Sequence, residues 1–418
     1  MQGAEILSKG DGSLQNTLTV IDGSFGEGGG QVVRNAAAFA AIFHKNIRIT
    51  NIRSGRSKPG LKSQHLTALK LLAEACDGSL LGGYVGSEEI TFLAQSTARV
   101  ESPGKVQPTR PITFTGDTKT AGSICLLLQA ILPLALVTRR DILWILKGGT
   151  NTTMAPQYDY WEHIFLPTLR QCCQLAEDAI QPTIIRRGYF PRGGGEVQIS
   201  TKHSSTVPLP PIVLKERGDV KDIWIRAFHA GKCPRSVPKQ MAKAAEDFFK
   251  SQIASVPIST QVAFDESAFG SSSGILIVAS TTTECRLGAS ALGSPKRSPS
   301  TVGIEAAEQL CSFLADGGCV DEYLQDQLIL YMAVAKGTSE ILTGPLTSHT
   351  RTAIRIAEQL SGARFRLEIL GDKHCSPDSE GRIPGNHVIR CNGIGFSNPM
   401  AINQTSGSKE LFHTAPFF

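Results

Sequence analysis

Along the chain the pattern of apolar positions switches between a period near 3.6, which marks a helix with one buried face, and short apolar runs, which mark strands. A strand is predicted at Leu18–Ile21, a helix over Gln31–Phe43, a strand at Ile47–Ile52, a helix over Gln64–Ala75 and a strand at Glu89–Leu93. The order returns with a helix over Ser123–Val137, a strand at Ile142–Leu146, a helix over Tyr158–Ala176 and strands at Thr183–Arg186 and Glu196–Ser200. It returns again with a helix over Tyr323–Ala335, a strand at Ser339–Thr343, a helix over Thr350–Leu360 and strands at Arg364–Leu370 and His387–Cys391. Each time an apolar helix leads to a strand, a loop rich in Gly, Pro, Ser or Thr, and an amphipathic helix. We read three divergent copies of one αβ unit around a pseudo-threefold axis, although helix–strand alternation would also suit any αβ protein.

Between the second and third copies the pattern departs from this order. Strands are predicted at Ile223–His229, Ile258–Phe264, Ile275–Ser280 and Glu284–Gly288, with helices over Val237–Gln252 and Val302–Ala315. The linker-like stretches "HSSTVPLPP" and "ADGGC" bound this segment. The expected organisation is a flexible tail over 1–18, a large domain over 19–201 and 318–418, and an inserted small αβ domain over 202–317.

Composition narrows the class. The chain has 418 residues, 41% hydrophobic and 19% charged, as a folded globular protein of about two domains does. A net charge of +5 does not by itself announce a nucleic-acid partner, so any basic character must be local. The ten cysteines form no C-x-x-C pair and do not join the nine histidines at zinc-ligand spacing. With no signal peptide read at the N-terminus, reduced intracellular thiols are expected. The longest apolar run, Ile124–Val137, carries Gln129 and Pro133 and is too short to span a bilayer, so no membrane partner is expected.

Five stretches carry candidate chemistry. In "GSFGEGGGQVVRN", consecutive glycines before a helix suit an anion site, but Gln31 stands where a dinucleotide fingerprint needs its third glycine. Glu27 would repel a phosphate there unless a metal ion lies between them, and Arg34 could meet the phosphate one turn on; a tight turn with a solvated glutamate is equally open. "NIRSGRSKPGLKSQH" gathers Arg53, Arg56, Lys58 and Lys62, with Gln64 at the next helix start. It has one residue too many between Gly60 and Lys62 for a Walker loop, which leaves a basic loop suited to phosphates or simply solvated charge. Gln129 is the one polar residue of an apolar helix and needs a partner, either a neighbouring backbone or a ligand.

In "VDEYLQDQL", Tyr323, Asp326 and Gln327 stand at i, i+3 and i+4 on one helix face, able to hold an adenine-ribose unit, orient an imidazole or merely face water. His349 sits at the start of the helix after "GPLTS". A neutral imidazole there could attack a phosphate without a separate base, although a lone histidine at a helix start is more often a surface residue.

Together these stretches resemble the RNA 3'-terminal phosphate cyclase family, in its eukaryotic-like catalytic branch. The matching segments are "DGSFGEGGGQVVR", "IRSGRSKPGLKSQHL", "DTKTAGSICLLLQ", "LKGGTNTTMAPQ", "RGYFPRGGGEV", "VGIEAAEQL", "VDEYLQDQL" and "TGPLTSHTRTAIRIAEQL", in family order from about Val20 to Asn398. The resemblance implies an α/β (α+β) fold of three βαβαββ units, similar to the C-terminal domain of a bacterial translation initiation factor, with a smaller inserted αβ domain and a core akin to enolpyruvyl transferases. It implies ATP as co-substrate, a divalent metal (Mg or Mn), and an RNA with a 3'-phosphate end as partner. His349 inherits the part of adenylated nucleophile. Gln129, Pro156, Tyr323, Asp326 and Gln327 fall where the family holds ATP, Glu27 where it holds metal, and Arg34, Arg53 and Gln64 where it lines the site for phosphates or the RNA end.

The implied reaction turns the 3'-phosphate into a 2',3'-cyclic phosphate through a histidine–AMP bond and an RNA–adenylate anhydride, releasing pyrophosphate and AMP. The resemblance also suggests a nuclear location, in the nucleoplasm, with the cytosol the alternative. Two rivals share the fold: a non-catalytic cyclase-like factor in ribosomal RNA processing, whose branch lacks the histidine, and an enolpyruvyl transferase, which the motifs do not support. The stretches "GSPKRSPS" and "GDKHCSPDSEGRIPGNH" carry no assigned role.

Overall fold

The computed structural model describes residues 18–95, 111–138, 140–203, 207–253, 255–370 and 376–397. Of the expected tail only Leu18 falls within them; Cys375, part of the linker after His203 and the chain from 398 onward lie outside the described residues.

The first unit runs β1 (Thr19–Asp22), α1 (Gly30–Phe43), β2 (Ile47–Thr50), α2 (Ser63–Ala75), β3 (Ser79–Leu81) and β4 (Ile90–Leu93), with sheet order β1-β2-β4-β3. The second runs β5 (Ile112–Asp117), α3 (Ile124–Val137), β6 (Ile142–Gly148), the helical stretch α4 (Tyr158–Tyr160) and α5 (Leu166–Cys172), β7 (Ile180–Arg186) and β8 (Gly195–Thr201), with order β5-β6-β8-β7. In both, the first two strands pair parallel and the rest antiparallel. These are βαβαββ units, as the resemblance implied.

The third unit is interrupted. Its first strand, β9 (Val213–Leu214), pairs parallel with a strand more than a hundred residues later. Between them lie β10 (Val220–Ala230), α6 (Ser236–Gln252), β11 (Ile258–Asp265), β12 (Ser272–Thr281), β13 (Arg286–Leu292) and α7 (Pro299–Asp316). The chain then resumes with α8 (Glu322–Gln327), α9 (Ile329–Val334), β14 (Lys336–Thr343), α10 (Ser348–Ser361), β15 (Arg364–Leu370) and β16 (Asn386–Ile394). The sheet β15-β16-β14-β9 has the same internal order as the other two, read from the other edge. The intervening sheet, β11-β10-β12-β13, does not. Thus β9 lies inside the stretch 202–317 read as inserted, yet it belongs to the third core sheet. Its two residues are too few to show a period in the sequence.

The packing follows from the helices' composition. In α1 every residue from Gln31 to Ile42 is buried; its run of alanines lets neighbours approach on all sides. Every residue of α3 is buried except Gln129, and every residue of α9 is buried. These first helices of the three units form the centre, and the second helices cover them with one apolar face each. The strands alternate buried and part-exposed residues, as β6 and β8 do throughout, so one face of each sheet closes the core.

Two expected helices are broken. A π-helical turn at Trp161–Phe165 separates α4 from α5. Pro167 has no N–H to give to the His163 carbonyl, which instead accepts from Arg286 Nη1 at 3.2 Å. The helix predicted over Tyr323–Ala335 divides at Leu328, beside which Gln327 Nε2 donates to the Tyr323 carbonyl at 2.6 Å.

Candidate functional site

Loops from the three units meet at the start of α10. Thr347 caps this helix, its side chain accepting from the Thr350 N–H at 3.1 Å. His349 therefore sits in the first turn with its side chain about half exposed. Its Nδ1 lies 3.0 Å from Gln31 Oε1, on the first turn of α1. Gln31 in turn donates through Nε2 to Asp326 Oδ2 on α8. That donation fixes which way the Gln31 amide faces. Its oxygen can only accept, so His349 Nδ1 carries the proton and Nε2 presents its lone pair. Asp326 lies deep in the protein with part of its surface open to a pocket. Burial pushes its carboxyl up to about 6, against the opposing pull of His349 and Arg34.

The glycine loop before α1 closes tightly over this arrangement. A Cβ on Gly29 would stand 2.2 Å from Glu27 Oε1, and one on Gly30 would stand 2.1 Å from His65 Nε2. Glu27 Oε2 is 3.8 Å from His349 Nδ1 and accepts from Arg56 Nη2 at 2.8 Å. His65 is buried on α2; its Nδ1 accepts from the Lys62 N–H at 3.1 Å. Burial, then the nearby Arg34, Arg53 and Lys62 charges, lower its pKa to about 3, so it stays neutral. Lys62 is itself lowered by burial and by Arg53, Arg56 and Lys58. Cations crowd this side of the site beyond what Glu27 and Asp326 offset, an unbalanced field that suits phosphates.

The sequence-predicted residues take distinct places. Arg34 is buried in α1, donates from Nη2 to Gln129 Oε1 at 3.3 Å, and keeps an Nε–H with no partner. Gln31, Asn35, Gln129, Asp326 and Gln327 line one small pocket with Tyr331; Asn35 Nδ2 and the Tyr331 hydroxyl are buried there without partners. Unsatisfied donors around a pocket are what a polar ligand would meet.

Arg53 takes a left-handed backbone (φ 55°), and its Nη1 donates to the carbonyls of Lys58 at 2.7 Å and Gly60 at 2.9 Å, so it braces the basic loop from within. Gln64 Oε1 accepts from the Ser123 N–H at 3.0 Å and joins α2 to the start of α3. Tyr323 turns away from Asp326: its hydroxyl accepts from Gln309 Nε2 at 3.1 Å, and its ring meets Tyr160 edge-on. Pro156 is half-buried in the loop between β6 and α4.

Gln31 and His65 were not singled out from the sequence as site residues, and Arg56 only as one cation of the basic loop. The signal for Gln31 was its position, in the first turn of the helix after Glu27's loop and one turn before Arg34, but it was read only as a missing glycine. Among the described residues, the one group of acidic and imidazole side chains close enough to share a metal is Asp159, Glu162 and His163. It is unsuited, because Asp159 already accepts from Asn151, both Nη of Arg187, and Arg226. Glu27 is the carboxylate next to the basic loop, held by Arg56. That fits a hard cation held by one carboxylate together with substrate phosphate oxygens.

Comparison with known proteins agrees along nearly the whole chain. A profile of the RNA 3'-terminal phosphate cyclase family matches residues 25–367. A protein of Dictyostelium discoideum named probable RNA 3'-terminal phosphate cyclase is 36% identical over 384 residues, 90% of this chain and 83% of that protein. The RNA 3'-terminal phosphate cyclase of Drosophila melanogaster is 35% identical over 389 residues, 91% and 98% of the two chains. That of Methanothermobacter thermautotrophicus is 38% identical over 353 residues, covering 84% and 96%.

Proposed function

Since the chain belongs to the RNA 3'-terminal phosphate cyclase family, we propose that it uses ATP to convert an RNA 3'-phosphate into a 2',3'-cyclic phosphate, with His349 as the adenylated nucleophile. The observation that carries the histidine's part is the Asp326–Gln31–His349 chain, which leaves the Nε2 lone pair free beside a cationic, part-unsatisfied pocket.

In the first step Nε2 attacks the α-phosphorus of ATP and the bond to pyrophosphate breaks. Gln31 holds the Nδ1 proton throughout, and Glu27, 3.8 Å away, faces the positive charge that develops on the ring. A divalent ion on Glu27 and the phosphates would offset charge on the departing pyrophosphate. Next an oxygen of the RNA 3'-phosphate attacks the adenylate, the N–P bond breaks, and His349 returns to its neutral form. The vicinal 2'-hydroxyl then attacks the activated phosphorus and AMP leaves; the two groups share one ribose, so proximity lowers the barrier. Arg56, Lys58 and Lys62 supply the charge that receives the RNA end, and Gln129, Asp326 and Gln327 face the nucleotide pocket.

Incubation with ATP labelled at the α-phosphate tests this. The expected result is protein-bound label, acid-labile and alkali-stable, chased off by RNA bearing a 3'-phosphate; an RNA ending in 2'-deoxyribose should accept AMP without cyclising. Folded wild-type protein that takes no label in the presence of metal would sink the proposal. It would favour the non-catalytic RNA-processing reading, against which the histidine and the names of the relatives now weigh.

A further inference from the structure

Asp321 is buried, at 1% exposure, and among the described residues no cation is paired with it. Four donors converge on its carboxylate. Oδ1 accepts from the Tyr160 hydroxyl at 2.5 Å, from the Tyr323 N–H at 3.0 Å and from the Leu324 N–H at 2.9 Å; Oδ2 accepts from the Gly288 N–H at 2.9 Å. Three parts of the molecule thus meet on one side chain. Tyr160 comes from α4 of the second unit, Gly288 from β13 of the inserted sheet, and the other two N–H groups open α8 itself, of which Asp321 is the cap.

The approach is close. A Cβ on Gly288 would lie 2.0 Å from Ile164 Cδ1, so the strand runs close against a side chain of the second unit's helical stretch. The Tyr160 ring also stands edge-on to the Tyr323 ring, 5.7 Å between centroids. One turn beyond the cap, Asp326 and Gln327 reach the pocket, and Asp326 holds the amide of Gln31.

We infer that Asp321 is a positioning residue for nucleotide binding, through which the inserted domain and the second repeat set where the first turn of α8 lies. A buried carboxylate with no cation is costly to keep and is held here by oriented donors alone. Moving any one donor moves the cap, and the cap sets the start of the helix that carries Asp326 and Gln327. The inserted domain thereby shapes the ATP pocket from behind, without lining it. This inference rests on the reading of that pocket as an ATP site.

The full-length protein carrying Tyr160→Phe or Asp321→Asn tests it, with circular dichroism to verify the fold. Tyr160→Phe removes one oxygen and keeps the ring packing. Asp321→Asn keeps one acceptor for the helix but turns an amide N–H₂ toward a backbone donor. Two rates are read in each variant: label incorporation against ATP concentration, and single-turnover chase of preformed enzyme–adenylate by RNA 3'-phosphate.

The expected result for Tyr160→Phe is a KM for ATP raised about 3- to 10-fold, the equivalent of one hydrogen bond, with the chase changed less than about two-fold. Asp321→Asn should raise it further, by about 10- to 100-fold, for a charge-assisted set. An unchanged KM in Tyr160→Phe, with only a lower thermal midpoint or a smaller active fraction, would overturn the positioning role and leave Asp321 as a stabilising cap. Failure of the wild type to take label would overturn the ATP reading itself, and this inference with it. The two failures fall in different arms and cannot be confused.

Discussion

The first and third units join their second strand to the helix after it in opposite ways. Between β2 and α2 the chain spends residues 51–62 on a long excursion; between β14 and α10 it uses only 344–347. The long loop folds on itself. Asn51 and Arg53 adopt left-handed backbone, and the Arg53 guanidinium ties up the carbonyls of Lys58 and Gly60, leaving Arg56, Lys58 and Lys62 on the outside. The short loop is held by the rest of the protein. Buried Gln325 accepts from the Thr347 N–H at 3.0 Å and donates to the Pro345 carbonyl at 3.2 Å, while Leu346 exchanges two backbone bonds with Ile383. The same place in the repeat has become a self-supporting cationic wrap in one copy and a clamped seat for a histidine in another. A nucleophile needs fixed placement and phosphates need charge, and the two loops divide these demands.

Breaking the clamped side should have the largest effect. His349→Ala is expected to lower label incorporation from ATP by at least about 10³-fold, with an unchanged circular dichroism spectrum because the side chain is half exposed. Wild-type labelling by the folded variant would remove His349 from the chemistry. Gln31→Leu keeps the volume but frees the imidazole to take either tautomer, and should slow labelling about 10²-fold. A Gln31→Leu rate within a factor of two of wild type would show that the tautomer is set some other way.

Asp326 separates chemistry from stability. Its carboxyl is raised to about 6 by burial, so it contributes to stability at low pH, and that contribution is lost as pH rises through about 6. At pH 7.5 Asp326→Asn should therefore label slowly yet melt a few degrees higher. A lower midpoint would contradict the burial argument.

The wrap should respond differently. Arg53→Ala removes two charge-assisted bonds that shape the loop, and is expected to slow chase by RNA about ten-fold while leaving labelling within about two-fold. Equal loss in both half-reactions would mean that the loop also serves ATP. The smallest expected effect is on the acid limb of stability. His65 is depressed to about 3, so the stability it contributes is complete above the unfolded value near 6.5 and is lost as pH falls from there toward 3. His65→Asn, which can still accept from the Lys62 N–H, should flatten that part of a urea-midpoint profile; an unaltered slope would mean that other groups set it.

Much of the fold was legible because it is written in local pattern. The alanine run of α1, the apolar run of α3 and the alternation of β6 and β8 announce their elements in a few residues, and so did the Gly-Pro turn before α10. What escaped depends on partners far along the chain. Gln31 and His349 are 318 positions apart, and only the packing of α1 on α10 makes the amide meaningful. β9 is a strand only because β14 lies beside it. Pro167 leaves a carbonyl free beside the π-turn, but that carbonyl is satisfied by Arg286 of the inserted sheet, which no local rule reveals. Tyr323 shares a nominal helix face with Asp326 and Gln327, yet the contact with Gln309 holds its hydroxyl at the inserted domain.

The displaced β9 has a topological consequence. The ends of the inserted segment lie side by side, since the Arg217 guanidinium donates to the Leu314 carbonyl. Once that segment has folded, about 25 residues, with α8 and α9 among them, separate β9 from β14 in place of a loose arc of about 120. On a polymer-closure scale this lowers the entropic cost of docking β9 on β14 by about 1.4 kcal/mol. A shortest-path replacement joining those ends should then leave the three core sheets able to assemble, while an unfolded passenger of equal length at the same point should strand β9 from its partner.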